Sequence, residues 1–352
     1  MERTLSVGCY DLISLGSVFV EGRSVCPSLK SGVFVEGGGS ATIQNNTITN
    51  IQDSVFNGGQ EGTAIRVGRS AASGTPTTGT AVISSNIIST YQKDGIDVTN
   101  VGSSATITSN IVTGVGPTNV VAQNGIEVSD GATGTVTSNI VTGNVYTGTA
   151  NFFAAGILLY QPGSGVKVTN NAMDNNGKFT SYALTNDVGI FVLDADLPVI
   201  TNNDIVGSTF YGIALDTAGG AGDRGATVSN NDLNYNNVDG LSLASVGDFV
   251  SGGTTTHTKI ANDNMTNNKA NGITLFFSVV NVTITQCNGT NNGGDGILVV
   301  DSTSTGNNIN NCNFTGNTGI DAVDNSHGSG TASTANTWSQ NTIGTKSPSG
   351  LH

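Results

Sequence analysis

The residues of this sequence that could do acid–base chemistry are concentrated in three short segments between residues 194 and 259. Two carboxyl groups held roughly 5 to 9.5 Å apart can act as acid and base, or as acid and nucleophile, in cleavage of a glycosidic bond. Carboxylate oxygens can equally bind calcium. The three segments contribute Asp194 and Asp196, then Asp216, Asp223 and Arg224, then Asp248, His257 and Lys259.

Two short signatures recur along the chain and must position these segments. The first is a glycine followed by Ile or Leu, one variable residue and a further apolar residue, with copies 23 to 33 residues apart. The second is a β-branched run ending in a small polar turn, as in TITSNIV at 106–112 and TVTSNIV at 135–141. Both alternate apolar and polar residues, which is typical of β-strands. The glycines of the first signature are Gly95, Gly125, Gly156, Gly189, Gly212, Gly240, Gly272, Gly296 and Gly319.

Each predicted strand has too few inward residues to bury a core alone. The repeats must therefore stack on one another at about 4.8 Å, as neighbouring strands of a sheet do. A given strand type returns only after a full circuit, which favours parallel sheets over hairpins. Stacking superimposes equivalent turns, so the Asp-rich segments are expected to share one edge. On this basis Asp194, Asp216, Asp223 and Arg224 are the predicted catalytic residues.

The second signature also predicts a column of asparagines. An Asn at a bend tolerates left-handed backbone angles, and stacked carboxamides can hydrogen-bond along the column from one turn of the chain to the next. Such a ladder would satisfy polar groups where the chain turns inward. The aligned residues are Asn46, Asn86, Asn110, Asn139, Asn171, Asn203 and Asn231, followed by Asp263, Cys287 and Cys312.

These glycine-isoleucine strands, TITSN turns and the Asn column resemble the right-handed parallel β-helix repeats of the pectate-lyase-like superfamily, including its group of carbohydrate-binding proteins and sugar hydrolases. The resemblance covers about residues 33–325. It implies an all-β, single-stranded, right-handed parallel β-helix and an extracellular, cell-surface or virion-surface location. The same coil carries lyases, hydrolases, epimerases, viral tailspikes and adhesins, so the fold does not determine the activity.

The repeats run on without a Pro-rich or charged linker, which predicts a single β-helix domain. We expect an N-terminal cap and first partial coil at 1–40, about ten repeat coils at 41–330, and a C-terminal cap at 331–352 that includes Trp338, the only tryptophan. The N-terminal apolar run is a poor signal peptide and too short to span a membrane, so no transmembrane segment is predicted.

The outward residues of the glycine-isoleucine strands change character along the chain. Asp97, Thr99, Glu127 and Ser129 are predicted to form a solvated face in the early coils. Middle coils carry an apolar stripe, which either lies under two long insertions containing Phe152, Phe153, Phe179 and Tyr182 or is exposed to a sugar ring or another subunit. The stripe consists of Leu158, Tyr160, Phe191 and Leu193, with Phe276 and Leu298 later. The predicted substrate-binding residues are Tyr160, Phe191, Asp196, His257 and Lys259.

Several function classes follow from these patterns. The first hypothesis is a protein that binds a polysaccharide and, in its stronger form, cleaves it by hydrolysis or elimination, with calcium as a candidate ion. The alternative is a non-catalytic structural, adhesive, filament-forming or viral tail-type protein that forms homo-oligomers through the apolar stripe. Outward threonine pairs such as Thr106 and Thr108 keep ice binding as a remote alternative. A net charge of −13 argues against nucleic acid as a partner.

The four cysteines allow two pairs. Cys9 and Cys26 could close a disulfide loop near the N-terminus. Cys287 and Cys312 replace ladder asparagines in adjacent coils, where two buried free thiols are preferred over a disulfide. The spacing matches no zinc site.

Overall fold

The computed structural model describes residues 3–4, 18–20, 31–53, 55–148, 152–174, 187–208 and 210–352. The predicted Cys9–Cys26 bond and the aromatic residues Phe179 and Tyr182 lie outside these residues. The chain divides into two compact units, the first made of Met1–Met173 and Tyr182–Asp187, the second of Asp174–Ser181 and Val188–His352. We describe each unit by itself.

The first unit contains three sheets in which each turn of the chain adds one strand, and we name them sheet 1, sheet 2 and sheet 3. Sheet 1 holds Ser31–Val35, Thr63–Val67, Asp94–Thr99, Asn124–Ser129 and Ala154–Tyr160. Sheet 2 holds Gly39–Gln44, Gly79–Ser84, Ser104–Thr108, Thr133–Thr137 and Lys167–Thr169. Sheet 3 holds Arg3–Thr4, Asn46–Ile51, Ile87–Tyr91, Ile111–Thr118, Ile140–Tyr146 and Ala172–Asp174. Pairing is parallel except that Val18–Val20 runs antiparallel to Ser31–Val35.

The second unit repeats the pattern. Its sheet 1 holds Asp187–Leu193, whose first residue belongs to the first unit, and Ile213–Asp216, Leu241–Ala244, Ile273–Phe276, Ile297–Val299, Ala322–Asp324 and Lys346–Ser347. Its sheet 2 holds Val199–Thr201, Thr227–Ser229, Lys259–Ala261, Thr283–Thr285, Asn308–Asn310 and Thr337–Ser339. The strands at the sheet 3 position are Asp204–Val206, Asp232–Asn234, Asn313–Phe314 and Thr342–Ile343.

A few short elements lie outside the three sheets. In the second unit, Asp223–Arg224 pairs with Val246–Gly247, and Phe249–Ser251 forms an antiparallel hairpin with Thr254–Thr256. Single turns of 3-10 helix occur at Ala71–Ser73 and Thr331–Ser333. Among the residues described here, no helix is both long and apolar enough to span a membrane.

The strand register explains the spacing of the signatures. Ile96 pairs with Ile126 and Val98 with Val128, one full turn further along the chain, and all four side chains are buried. Because strand side chains alternate between faces, every second residue joins an inward column of Ile, Val or Leu. Burying one such side chain contributes about 1.5 to 3 kcal/mol, so the stacked columns are the main source of stability in each unit.

The predicted Asn ladder is present. In the first unit, the Nδ2 and backbone N–H of Asn110 both donate to Asn139 Oδ1, each at 3.0 Å. Asn139 donates in the same way to Asn171 Oδ1, again at 3.0 Å. In the second unit, both Asn231 groups donate to Asp263 Oδ1 at 2.8 Å. Each carboxamide also donates to a carbonyl of the preceding strand, as Asn139 does to Ile107 O at 3.0 Å.

The last turns of the second unit continue this pattern. Cys287 and Cys312 are buried free thiols, as predicted, and the Cys287 N–H donates to Cys312 Sγ at 3.3 Å. Trp338 is buried beside Ile309 on the neighbouring strand, and its indole N–H donates to Asp324 at 2.8 Å. Strand pairing extends beyond Trp338 as far as Lys346–Ser347.

The glycine of the first signature is required by close approach between turns. A Cβ on Gly125 would lie 2.3 Å from Val141 Cγ1 and 2.6 Å from the carbonyl oxygen of Gly156. A Cβ on Gly95 would meet the carbonyl oxygen of Gly125 at 2.5 Å. The carbonyl belongs to the backbone of the next turn, so it cannot rotate away as a side chain can.

We therefore expect Gly125→Ala to lower the free energy of unfolding by about 1 to 3 kcal/mol through overpacking. The control is Gly247→Ala, because a Cβ there would meet nothing closer than Val280 O at 3.7 Å. Urea denaturation of both variants measures the difference. Equal stability of the two variants would contradict the explanation.

Candidate functional site

A group of polar and ionisable side chains lies on the outer face of sheet 1 in the first unit, and we call it the sheet 1 cluster. Arg66, Asp97 and Glu127 stand in register on three successive strands. Asp94 and Asn124 form a second register pair on the last two of these strands. Since the inward positions are taken by Ile and Val, the parallel register stacks these side chains outward at about 4.8 Å from strand to strand.

Buried hydrogen bonds join the first members of the sheet 1 cluster. Arg66 Nε donates to Asp97 Oδ2 at 3.0 Å, as part of an ion pair in which both side chains are about nine-tenths buried. The Thr63 hydroxyl donates to Asp94 Oδ2 and accepts from Arg66 Nη2, both at 3.1 Å. Arg66 is thus bonded directly to Asp97 and, through the Thr63 hydroxyl, to Asp94.

Two acceptor atoms of the sheet 1 cluster are buried and lack a hydrogen-bond partner among the described residues. Asn124 Nδ2 donates to Asp94 Oδ1 at 3.2 Å and to Glu127 Oε2 at 2.8 Å, but Asn124 Oδ1 accepts nothing. Asp97 Oδ1 is also unpartnered. A buried acceptor without a donor costs about 1 to 3 kcal/mol, so the cluster has spare capacity for a proton or a ligand hydroxyl.

Both stacked carboxyl groups have raised pKa values. Burial raises the pKa of Asp97 to about 7, although the Arg66 charge opposes the shift, and Asp94 adds to it. Burial also raises the pKa of Glu127 well above its ordinary value, and repulsion from Asp94 and Asp97 adds to this. Two interacting carboxyl groups titrate as a pair, and here burial favours the protonated form of both.

The sequence prediction for this face was wrong in one respect. Asp97, Thr99 and Ser129 were expected to be solvated, but they are only 6%, 4% and 3% exposed. Glu127 is half-buried. Period-two alternation tells which residues point away from the core, but it does not tell whether that outer face is covered.

Asp194, a predicted catalytic residue of the second unit, organises a loop. Its carboxylate accepts hydrogen bonds from the Thr217 hydroxyl at 2.8 Å and from the backbone N–H groups of Ala218, Gly220 and Gly222 at 2.9 to 3.1 Å. Four donors fix the loop that follows the strand Ile213–Asp216. The geometry accounts for an Asp at this turn without any reaction.

Asp216 and Asp223 lie near Asp194, as the sequence predicted. Burial raises the pKa of Asp216, and the Asp194 charge adds to it. Asp223 is fully buried, and burial raises its pKa well above the ordinary value despite hydrogen bonds from the Ala195 and Asp216 backbone. Ala195 N–H donates to Asp223 Oδ1 at 2.7 Å, while Oδ2 has no partner within the described part of the chain. Asp216, which is half-buried, is the member of this group best placed to meet a ligand.

The remaining charged candidates form exposed or half-exposed pairs. Arg224 makes two hydrogen bonds to Asp196, at 2.8 and 2.9 Å. His257, which is exposed, lies 2.9 Å from Asp248 Oδ1 through its Nδ1. Lys259 is exposed at the start of its strand. Arg224 remains a predicted catalytic residue, and Asp196, His257 and Lys259 remain predicted substrate-binding residues.

The apolar stripe is half-buried. In the first unit Tyr160 follows Leu158 on one strand, and these two residues pair with Ser129 and Glu127 of the neighbouring strand. In the second unit Phe191 and Leu193 are likewise half-buried. Tyr160 therefore lies at the rim of the sheet 1 cluster.

The described residues form no metal-binding cluster. Within the described ranges, no three or more His, Cys, Asp or Glu side chains are grouped so that they could hold one. The calcium hypothesis rests on the sequence alone.

The solved structures that match this chain have low sequence identity to it. The Dettilon tailspike protein matches at 16% identity and a TM-score of 0.48 over 89% of this chain, which spans 60% of the tailspike chain. A mannuronan C-5 epimerase A-module of Azotobacter vinelandii matches at 13% identity and a TM-score of 0.41, over 81% of this chain and 80% of the module. The periplasmic alginate epimerase AlgG matches at 12% and a TM-score of 0.31, covering 90% and 85%. No curated protein sequence matches the chain.

The family comparison is more extensive. The family model described as "Right handed beta helix region" matches residues 16–173 and 155–343. These matches cover both units and nearly all of the repeat signatures. They agree with the parallel sheets, and they confirm the predicted all-β fold and the right-handed β-helix repeat. The protein belongs to the right-handed β-helix family.

Proposed function

We propose that the protein binds a polysaccharide on the outer face of sheet 1 in the first unit. The observation that carries this proposal is the sheet 1 cluster, in which stacked carboxyl groups with raised pKa values lie beside an arginine and two unpartnered acceptors. Perturbed ionisable groups of this kind are concentrated at functional sites. Polysaccharides occur outside cells and on their surfaces, so the proposal includes an extracellular or surface location.

The rim of the cluster suits a sugar ring. Tyr160 and Leu158 offer half-buried apolar surface one strand away from Glu127. Aromatic side chains pack against the apolar face of a ligand while their hydroxyl remains free to hydrogen-bond. Glu127 is itself half-buried, so a sugar hydroxyl can approach the cluster at this residue. Arg66 and Asp97 would support Glu127 from the neighbouring strands.

The same carboxyl pair could catalyse cleavage. Asp97 and Glu127 are register partners, and neighbouring strands lie about 4.8 Å apart, close to the roughly 5 Å that separates the two carboxyl groups of retaining glycosidases. Because burial favours the protonated form, one carboxyl group of the pair could protonate a leaving oxygen while the other acts as base or nucleophile. Binding is the primary proposal, and cleavage is its stronger form.

Binding is tested by titrating oligosaccharides from a panel of neutral and acidic polysaccharides into the full chain in a calorimeter. We expect Glu127→Gln to weaken binding of the best ligand by up to about tenfold, since one hydrogen bond contributes about 0.5 to 1.5 kcal/mol. Asp232→Asn is the matched control, because this aspartate is exposed on another sheet. Thermal melting of each variant checks that the fold is intact.

The same titration separates the two candidate sites. Loss of binding in Asp216→Asn with unchanged binding in Glu127→Gln would place the ligand at the Asp-rich segments of the second unit. Absence of binding across the panel would overturn the polysaccharide proposal. Product analysis of the bound samples then decides between binding alone and cleavage.

A further inference from the structure

The first unit has a surface without charged residues. It is formed by the outward side chains of sheets 2 and 3 and the corner between them, over four successive turns of the chain, and we call it the neutral face. The residues are Ser40, Thr42, Gln44, Asn45, Thr47 and Thr49; Thr80, Val82, Ser84, Ser85, Ile87 and Ser89; Ser104, Thr106, Thr108, Ser109, Ile111 and Thr113; and Thr133, Thr135, Thr137, Ser138, Ile140 and Thr142.

An exposed isoleucine column runs through the sheet 3 part of the neutral face. Ile87, Ile111 and Ile140 pair in register on consecutive strands. They are 51%, 42% and 47% exposed. Single exposed apolar residues are ordinary, but three that stack in direct contact form a continuous apolar patch, which marks an interaction surface.

The sheet 2 part of the neutral face is a shallow, open depression of about 360 Å³. Its lining includes Thr106, Thr135 and Val82, and the last of these is 43% exposed. The side chains that line it are short. A sugar ring would find no aromatic side chain to pack against here.

The charge distribution indicates which partner fits. The chain carries a net charge of −13, so two copies repel each other over most approaches. Arg66, Asp97 and Glu127 of the first unit lie on sheet 1 instead. On sheet 2 the exposed Lys167 is the register partner of Thr135, so it marks the edge of the neutral face. Within these four turns, two neutral faces can meet without a like-charge contact, and a second copy offers columns with the same repeat of about 4.8 Å.

We propose that the neutral face is a self-association surface, on which two copies of this chain pack with their isoleucine columns at the centre. The side chains of one column fit between those of the other, and the flanking threonines and serines form a polar rim. This contact is independent of polysaccharide binding, because it uses different sheets.

Sedimentation velocity of the full chain over a wide concentration range tests the proposal. We expect the wild-type protein to shift from monomer to dimer with concentration, and more readily at high salt, because salt screens the net charge. Ile111→Lys should weaken the association by about tenfold or more, because it places a charge in the apolar centre. Val101→Lys is the control, since Val101 is 70% exposed in the same unit but outside the neutral face.

Ile111 is exposed, so the substitution should leave the melting temperature unchanged, and a weaker association then reports on the surface alone. The double variant Ile111→Lys/Ile140→Lys should be monomeric throughout. A wild-type protein that stays monomeric at all concentrations would overturn the proposal. Association that survives in the double variant, or that Val101→Lys weakens equally, would overturn it as well.

Discussion

Replacing Asn139 with Leu should lower the free energy of unfolding by about 4 kcal/mol, since several buried polar groups would lose partners at about 1 to 3 kcal/mol each. Asn139 Oδ1 accepts two hydrogen bonds from Asn110, and its Nδ2 donates to Asn171 Oδ1 and to Ile107 O. Leucine has the same branched arrangement of heavy atoms but is bulkier and replaces none of these bonds. Urea denaturation followed by circular dichroism measures the loss.

The control for this substitution is Asn119→Leu, at an exposed position of the same unit. Surface substitutions of this kind change stability by about 0.5 kcal/mol or less. If Asn139→Leu cost no more than Asn119→Leu, the ladder would not be the stabilising element that its geometry indicates.

Replacing Asp263 with Asn should stabilise the protein at alkaline pH. Asp263 occupies a ladder position, where its Oδ1 accepts from Asn231 and its buried Oδ2 lacks a partner among the residues described. Burial raises its pKa from 3.8 to about 7, although the hydrogen bonds from Asn231 oppose the shift. An asparagine would present Nδ2 at the Oδ2 position, and could donate to Val228 O as Asn231 donates to Ile200 O.

The sign of the pH dependence follows from the raised pKa. The folded state binds the Asp263 proton more tightly than the unfolded state, so this contribution to stability is fully present below pH 3.8 and is lost as pH rises through about 7. A shift of about three units corresponds to at most about 4 kcal/mol. We expect Asp263→Asn to gain up to that amount near pH 8 and little near pH 4.

Denaturation curves of the wild type and Asp263→Asn across this pH range test the prediction. Asp301→Asn is the control: although burial raises the pKa of Asp301, hydrogen bonds from Thr303 and the Phe277 N–H outweigh it and lower that pKa. Its substitution should not stabilise the protein near pH 8. A gain for Asp263→Asn that is the same at acid and alkaline pH would show that the charge is not the cause.

The repeat made much of the fold predictable. Glycines such as Gly125 and ladder residues such as Asn139 are tied to one geometric position, and each turn of the chain repeats the constraint, so the pattern is visible in a single sequence. A second ladder at the corner before sheet 1 of the second unit was missed. Its members are Asn236, Asn268, Asn292 and Asn317, which hydrogen-bond in sequence at 2.8 to 3.1 Å.

The second ladder could have been detected in the sequence. Asn236, Asn268 and Asn292 each precede the glycine of the first signature by four residues. The sheet 1 cluster had no such signal, because Arg66, Asp97 and Glu127 differ in type and look like ordinary solvated strand residues. Their importance depends on burial and on register, and neither follows from period-two alternation. Asp194 was identified because ionisable residues are concentrated in the turns of three successive coils, but its four-donor role depends on the backbone of the loop it holds.

The most direct measurement is a crystal structure of the protein with the oligosaccharide that binds best in the calorimetric panel. We expect the sugar to lie on the outer face of sheet 1 in the first unit, with its ring against Tyr160 and a hydroxyl within hydrogen-bond distance of Glu127. A sugar bound instead against Asp216 and the Asp-rich segments of the second unit, with the sheet 1 cluster untouched, would contradict it.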